Sequence, residues 1–155
     1  MDTELNLPPF EALIKEQEGQ NVIFDTIRRK YVALTPEEWV RQHFINFLIT
    51  YKGFPKGLMA VEQKVTINGM PQRVDIVAYN RNGKPILVAE CKAPDVKLTQ
   101  ATIGQAARYN LQLQAGYLII TNGKMHFCCR INMQNSEYEV LQRIPDYHEM
   151  VEESS

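Results

Sequence analysis

Two apolar runs of this sequence end in charged residues that could do chemistry together: Arg73-Val74-Asp75-Ile76-Val77 and Val88-Ala89-Glu90-Cys91-Lys92. Asn82-Gly83 lies between them, and Asn-Gly flanked by apolar runs is the strongest short hairpin signal. A two-residue turn there sets Tyr79 against Ile86, Val77 against Val88, Asp75 against Glu90 and Arg73 against Lys92. Pro85 then falls opposite Asn80 in a non-hydrogen-bonded pair, where its missing N–H costs nothing. Asn68-Gly69 gives a second turn, which sets Glu62 against Asp75 and again puts a proline, Pro71, in a non-hydrogen-bonded pair. Glu62, Asp75 and Glu90 thus form one row across three strands, and Lys92 points to the same face two residues on.

Carboxylates facing one another repel, and burial beside like charge raises their pKa values. Such a row calls for a cation, and oxygen donors suit a hard divalent ion held by one or two carboxylates, water and phosphate oxygens. A lysine beside it can orient a water or stabilise charge developing on a phosphate. The combination reads as phosphodiester hydrolysis. The plainer alternative makes Asp75 and Glu90 rim charges paired with Arg73 and Lys92. Against it, Val77, Val88 and Ile86 share the acidic face while Val74, Ile76, Leu87, Ala89 and Cys91 line the other. Strands apolar on both faces are central, and unpaired carboxylates at their ends are costly unless functional.

These strands need elements to hold them. Thr35-Pro36-Glu37-Glu38 opens a helix with a Thr cap, a Pro in the first turn and a Glu three residues after the cap. Val40, Phe44, Phe47, Leu48 and Tyr51 continue it at helical spacing to Gly53. The meander Leu58–Ile67, Arg73–Tyr79 and Ile86–Lys92 follows, then a helix over about Thr99–Gln114. A hairpin, Tyr117–Thr121 and Met125–Ile131 around Asn122-Gly123, closes the core, and Tyr138–Ile144 is a further candidate strand. This order predicts an α/β domain in which a mixed sheet, three-strand meander plus hairpin, is flanked by helices. Residues 1–20 and 146–155, polar and acidic, are expected to be a flexible N-terminal arm and a C-terminal tail around a domain at 21–145.

At these residues the chain resembles a known family. The spaced Asp75…Glu90-Cys91-Lys92 set looks like the D…ExK signature of the PD-(D/E)xK nuclease superfamily. More narrowly, it resembles the N-terminal nuclease domain of type I restriction enzyme R subunits, from about Phe24 to Gly123. Pro36-Glu37-Glu38-Trp39-Val40-Arg41-Gln42 looks like the family's helix motif and Thr121-Asn122-Gly123 like its closing turn. Gln105-Ala106-Ala107-Arg108-Tyr109 is similar to the QxxxY motif of RecB-like nucleases. The resemblance implies a restriction-endonuclease-like core in which Asp75 and Glu90 bind a catalytic Mg²⁺ (Mn²⁺ as substitute) and Lys92 is the catalytic lysine. It also places Gln105 and Tyr109 near the site, where they contact DNA or organise it; their i, i+4 spacing puts both on one helix face. A further metal-site glutamate is Glu38, with Glu37 behind it, although the cap also accounts for Glu38; Glu62 is the other candidate.

The implied activity is a stand-alone metal-dependent DNA nuclease of restriction or repair type. The other reading is a catalytically silent nuclease-fold module that binds nucleic acid or a restriction-system partner. No GxxxxGK[ST] loop occurs in the chain, so neither a nucleotide triphosphate ligand nor a helicase motor is expected within it. A homodimer or association with restriction-system subunits is compatible with either reading.

Composition bounds the rest. The chain has 155 residues, 45% of them hydrophobic, with 17 basic and 18 acidic side chains. That describes one globular domain with a core; no apolar stretch nears the roughly 20 residues that cross a bilayer. The acidic N-terminus is unlike a secretory signal. Cys91, Cys128 and Cys129 have neither disulfide nor zinc spacing and read as reduced thiols of a cytoplasmic protein. A net charge of −1 argues against a nucleic-acid partner only until the arms are set aside. Residues 20–145 keep 16 basic and 9 acidic side chains, with Arg28-Arg29-Lys30 the densest basic cluster.

Overall fold

The computed structural model describes residues 4–154. Helix α1 (Pro36–Lys52) begins as the sequence dictates: Thr35 is extended and its hydroxyl accepts the Glu38 N–H, with Pro36 at the first position. Gly53, at φ 70°, ends it in the left-handed conformation that glycine adopts without strain. After one 3-10 turn (Lys56–Leu58) come β4 (Met59–Ile67), β5 (Met70–Tyr79) and β6 (Pro85–Cys91), helix α2 (Gln100–Leu113), then β7 (Tyr117–Thr121), β8 (His126–Asn132) and β9 (Glu137–Leu141). They form one six-stranded sheet in chain order, antiparallel except for β6–β7, whose parallel pairing requires the α2 crossover.

The sheet carries a core on each face. Val40, Phe44 and Leu48 of α1 pack with Ile76, Ala78, Leu87, Ala89 and Ile119 on one side. On the other, Ile103, Ala106 and Ala107 of α2 pack with Val77, Val88, Leu118 and Ile120. No helix among the described residues is long and apolar enough to cross a membrane.

Three features lie outside the expected plan. Strands β1 (Ile14–Gln17), β2 (Gln20–Asp25) and β3 (Lys30–Ala33) form a separate antiparallel sheet, so the segment assigned to a flexible arm contains β1. Its Leu5 and Leu7 pack on the α1-side core, and the Asn6 N–H donates to the Gly123 carbonyl at 2.7 Å. The expected acidic tail is helix α3 (Tyr147–Ser154), because Met150 on its inner face is fully buried. Net acidity hid both segments, since one or two apolar residues suffice to dock a short element.

Of the three Asn-Gly turns, only Asn68-Gly69 is the two-residue turn expected, with Ile67 paired to Met70 and both turn residues at positive φ. At Asn82-Gly83 the Asn80 carboxamide accepts the N–H groups of Asn82 and Lys84, lengthening the loop so that Tyr79 pairs with Pro85. The expected register resumes at Ala78–Leu87 and Val77–Val88. After β7, the Asn122 side chain accepts from Lys124 and Met125 in the same way, and Thr121 pairs with His126. In each case an asparagine side chain supplies acceptors that a two-residue turn leaves to the backbone.

Candidate functional site

The β4–β5 register matches the expected one on both sides of Glu62, Val61–Ile76 before and Gln63–Val74 after, yet the Glu62–Asp75 rung is missing. Glu62 sits at φ 52°, a left-handed conformation unusual for a glutamate in a strand. The ribbon turns over here: Ile76 packs on the α1 side, whereas Val74, two residues away and expected on the same face, packs on the α2 side. The row of three carboxylates is broken at this kink. Glu62 turns instead to arginines, 3.3 Å from Arg41, 3.5 Å from Arg28 and 3.4 Å from Arg73.

Asp75, Glu90 and Lys92 do converge. They line an open cleft of about 370 Å³ where the ends of β5 and β6 meet Glu37 at the start of α1 and Thr102, Gln105 and Tyr109 on one face of α2. Asp75 Oδ2 accepts the Cys91 N–H at 2.7 Å, and Oδ1 lies 3.3 Å from Arg41 Nη1. Lys92 Nζ is 4.0 Å from Glu90 Oε2. Burial raises the Asp75 carboxyl above its ordinary range, against the opposing pull of the Cys91 N–H, Arg41 and Lys92. Burial also raises Glu90, with Lys92 opposing and Asp75 adding to the shift. Glu37, at the rim, is raised by partial desolvation and then by the Asp75 charge. Desolvation and the nearby Glu90 charge raise the Tyr109 phenol. All three carboxyls of the cleft are thus raised in the same direction, with desolvation the largest cause of each shift.

Glu38, the motif glutamate, is elsewhere occupied. Its Oε1 accepts from Arg41 at 2.6 Å and Arg28 at 3.1 Å, and its Oε2 from Arg41 and Gln42, both at 2.9 Å. Four donors exhaust a carboxylate's acceptor sites, leaving none for a metal. Burial would raise its pKa, but the bonds from Arg41 and Gln42 outweigh burial and lower it. Asp25, fully buried in β2, joins this cluster through Arg28 and Gln42 and is likewise held low. Glu38-x-x-Arg41-Gln42 is therefore a structural clamp, and Glu37 is the α1 glutamate that reaches the cleft. Arg28, part of the expected basic cluster, is consumed by the same clamp.

No local signal marks the Arg41–Asp75 contact, which spans 34 positions; the spacing of Glu38, Arg41 and Gln42 on one helix face is the feature that points to the clamp.

The carboxylates that the cleft offers to a metal are Asp75 and Glu90, with Glu37 at the rim. Among the described residues no cluster of three or more His, Cys, Asp or Glu is positioned to hold an ion. A pair of carboxylates with remaining positions open to water is the donor set suited to Mg²⁺, which rarely sits in an all-protein cage.

The type I restriction enzyme R protein N terminus family (HSDR_N) matches residues 36–145. The chain belongs to this family. The match takes in the α1 clamp, the carboxylate cleft, α2 and the sheet through β9, and omits β1–β3 and α3. No curated protein matches significantly. Among solved structures, a fragment reported as an HsdR subunit assigned to a type I restriction enzyme from Vibrio vulnificus YJ016 superposes with a TM-score of 0.56 at 20% identity. The superposition covers 77% of this chain and 25% of that one, so the R-protein N-terminal fold here spans about a quarter of that structure's length.

Proposed function

We propose that this chain is a divalent-metal-dependent DNA nuclease domain of the PD-(D/E)xK type, acting in a restriction system. The observation that supports this most directly is the convergence of Asp75, Glu90 and Lys92 in one cleft beneath Gln105 and Tyr109. Asp75 and Glu90 would hold Mg²⁺, or Mn²⁺ in its place, with Glu37 contributing through water. When bound, the ion supplies Lewis acidity toward a phosphate oxygen and lowers the pKa of water. Asp75 is pre-oriented for this role by the Cys91 N–H and Arg41, so little reorganisation accompanies binding. Lys92, half exposed beside Glu90, would stabilise negative charge developing on the phosphate. Gln105 and Tyr109 close the cleft from α2 and would fix the nucleotide being cut.

Two observations favour the silent-module reading: Arg41 already offers a positive charge to Asp75, and no three-residue ligand cluster is present among the described residues. The two separate experimentally. Purified protein incubated with Mn²⁺ or Mg²⁺ should cut linear or circular DNA, and Asp75→Ala should abolish cutting without lowering the melting temperature. Wild-type protein that binds no Mn²⁺ and cuts no DNA would establish the silent module instead.

A further inference from the structure

Beyond the last β5–β6 rung at Ile76–Ala89, β5 runs on for six residues and β4 with it, as a two-stranded ribbon closed by Asn68-Gly69. Six residues span roughly 20 Å. Residues 63–73 of this ribbon contain two cations, Lys64 and Arg73, and no acid. The two are direct cross-strand partners. Counting from the hydrogen-bonded Ile67–Met70 pair at the turn, Lys64–Arg73 is a non-hydrogen-bonded pair, the kind in which side chains approach most closely. Like charges directly opposite one another destabilise a ribbon, so the pair is a cost that folding alone does not explain.

Its position offers an explanation. Arg73 lines the same cleft as Asp75 and Lys92, and its cross-strand partner Lys64 is exposed. Arg73 is lightly held: its side chain is 63% exposed, and its one acidic contact among the described residues, Glu62 at 3.4 Å, is already engaged by Arg28 and Arg41. Lys92, Arg73 and Lys64 therefore make a run of positive charge leading from the cleft onto the ribbon. The ribbon beyond it is uncharged, Thr66 to Gln72, and of the width that the major groove of a duplex admits.

We infer that the β4–β5 ribbon is a docking element for duplex DNA, in which Arg73 and Lys64 grip the phosphates that follow the one presented to Asp75 and Glu90. This rests on the nuclease reading for the class of ligand, and it assigns to Lys64 and Arg73 a binding role separate from the chemistry.

The test is binding of a labelled 20-base-pair duplex in EDTA, where no cutting occurs, measured across a salt series for wild type, Lys64→Gln, Arg73→Gln and the double variant. Each phosphate contact contributes about 0.9 to the slope of log affinity against log salt. Each single variant should lower the slope by about that amount and weaken binding about 3- to 10-fold at ~0.1 M salt, with the double variant losing about twice the slope. Lys84→Gln, in the loop at the other end of β5, should leave both unchanged. Unaltered slopes in the Lys64 and Arg73 variants, no measurable wild-type binding, or equal losses on a single-stranded 20-mer with no duplex preference would overturn the inference. Cleavage in Mn²⁺ is scored separately. Wild type that cuts while the variants bind as it does removes the ribbon's role and keeps the nuclease; duplex binding that depends on Lys64 and Arg73 without any cutting does the reverse.

Discussion

Arg41 stands between two carboxylates of opposite fate: its Nη2 donates to Glu38 at 2.6 Å and its Nη1 lies 3.3 Å from Asp75. Glu38 is driven below its ordinary pKa and Asp75 above it. The one guanidinium thus anchors the clamp that ties α1 to the small sheet and also steadies the carboxylate that faces the cleft.

Removing Arg41 should therefore be expensive. Arg41→Ala leaves Glu38 buried without its main partner, and loss of one member of a buried pair costs about 3–5 kcal/mol. A denaturant titration should show that loss, whereas Arg28→Ala, which leaves Glu38 its Arg41 and Gln42 bonds, should cost less. Equal losses would mean the clamp does not centre on Arg41.

The cleft carboxylates should behave in the opposite sense. A folded-state pKa raised above the unfolded value favours the protonated form, so these groups lose stability for the fold as pH rises through the interval between the two values. Asp75→Asn and Glu90→Gln should raise the melting temperature at pH 7–8 by on the order of 1–3 °C, an advantage that shrinks as pH falls toward 4. Calorimetry at several pH values checks this; a lower melting temperature for both variants at pH 8 would contradict it.

Asp25 and Glu38 set the acid limit. Their lowered pKa values contribute stability that is fully present above the unfolded carboxylate range and is lost as pH falls through the folded values. Acid unfolding followed by circular dichroism should shift to higher pH in Glu38→Gln.

The two adjacent glutamates of α1 should separate cleanly. Glu37→Gln should weaken Mn²⁺ binding several-fold by calorimetric titration with little change in stability, because Glu37 is exposed at the cleft rim. Glu38→Gln should destabilise the fold and, where folded, bind Mn²⁺ as wild type does.

Lys92→Ala should slow cleavage by on the order of 10²–10³ at saturating DNA while leaving the melting temperature within about 2 °C, since its nearest acidic contact is a 4.0 Å approach at a half-exposed position. A variant cutting at the wild-type rate would exclude Lys92 from the chemistry.

The elements that position the cleft were legible because each carries a local signal: the Thr35-Pro36 cap, the alternating apolar strands, the apolar face of α2. Register was legible too, and Val77–Val88 and Gln63–Val74 pair as turn counting requires. What counting cannot see is conformation at a single residue. The positive φ of Glu62 leaves every neighbouring pair in register and still removes Glu62 from the acidic row. Nor does spacing reveal which of two adjacent glutamates faces a buried arginine, because that choice depends on Arg28 and Asp25 arriving from another sheet. Strand β1 is hard to read for a related reason: it is exposed along its length, so no apolar alternation marks it.

Those outlying segments bear on how the domain can be handled as a part. The region matched by the family, 36–145, is bounded by sequence likeness, but the fold closes on residues beyond both limits: Asp25 and Arg28 complete the clamp, Met150 fills the α1-side core, and Leu5 lies so near Gly123 that a Cβ there would come within 2.6 Å of it. A fragment excised at 36 and 145, or grafted at those points onto another protein, would carry an orphaned Glu38–Arg41–Gln42 cluster and an open hole under β6. The portable unit is the longer span, with both ends attached.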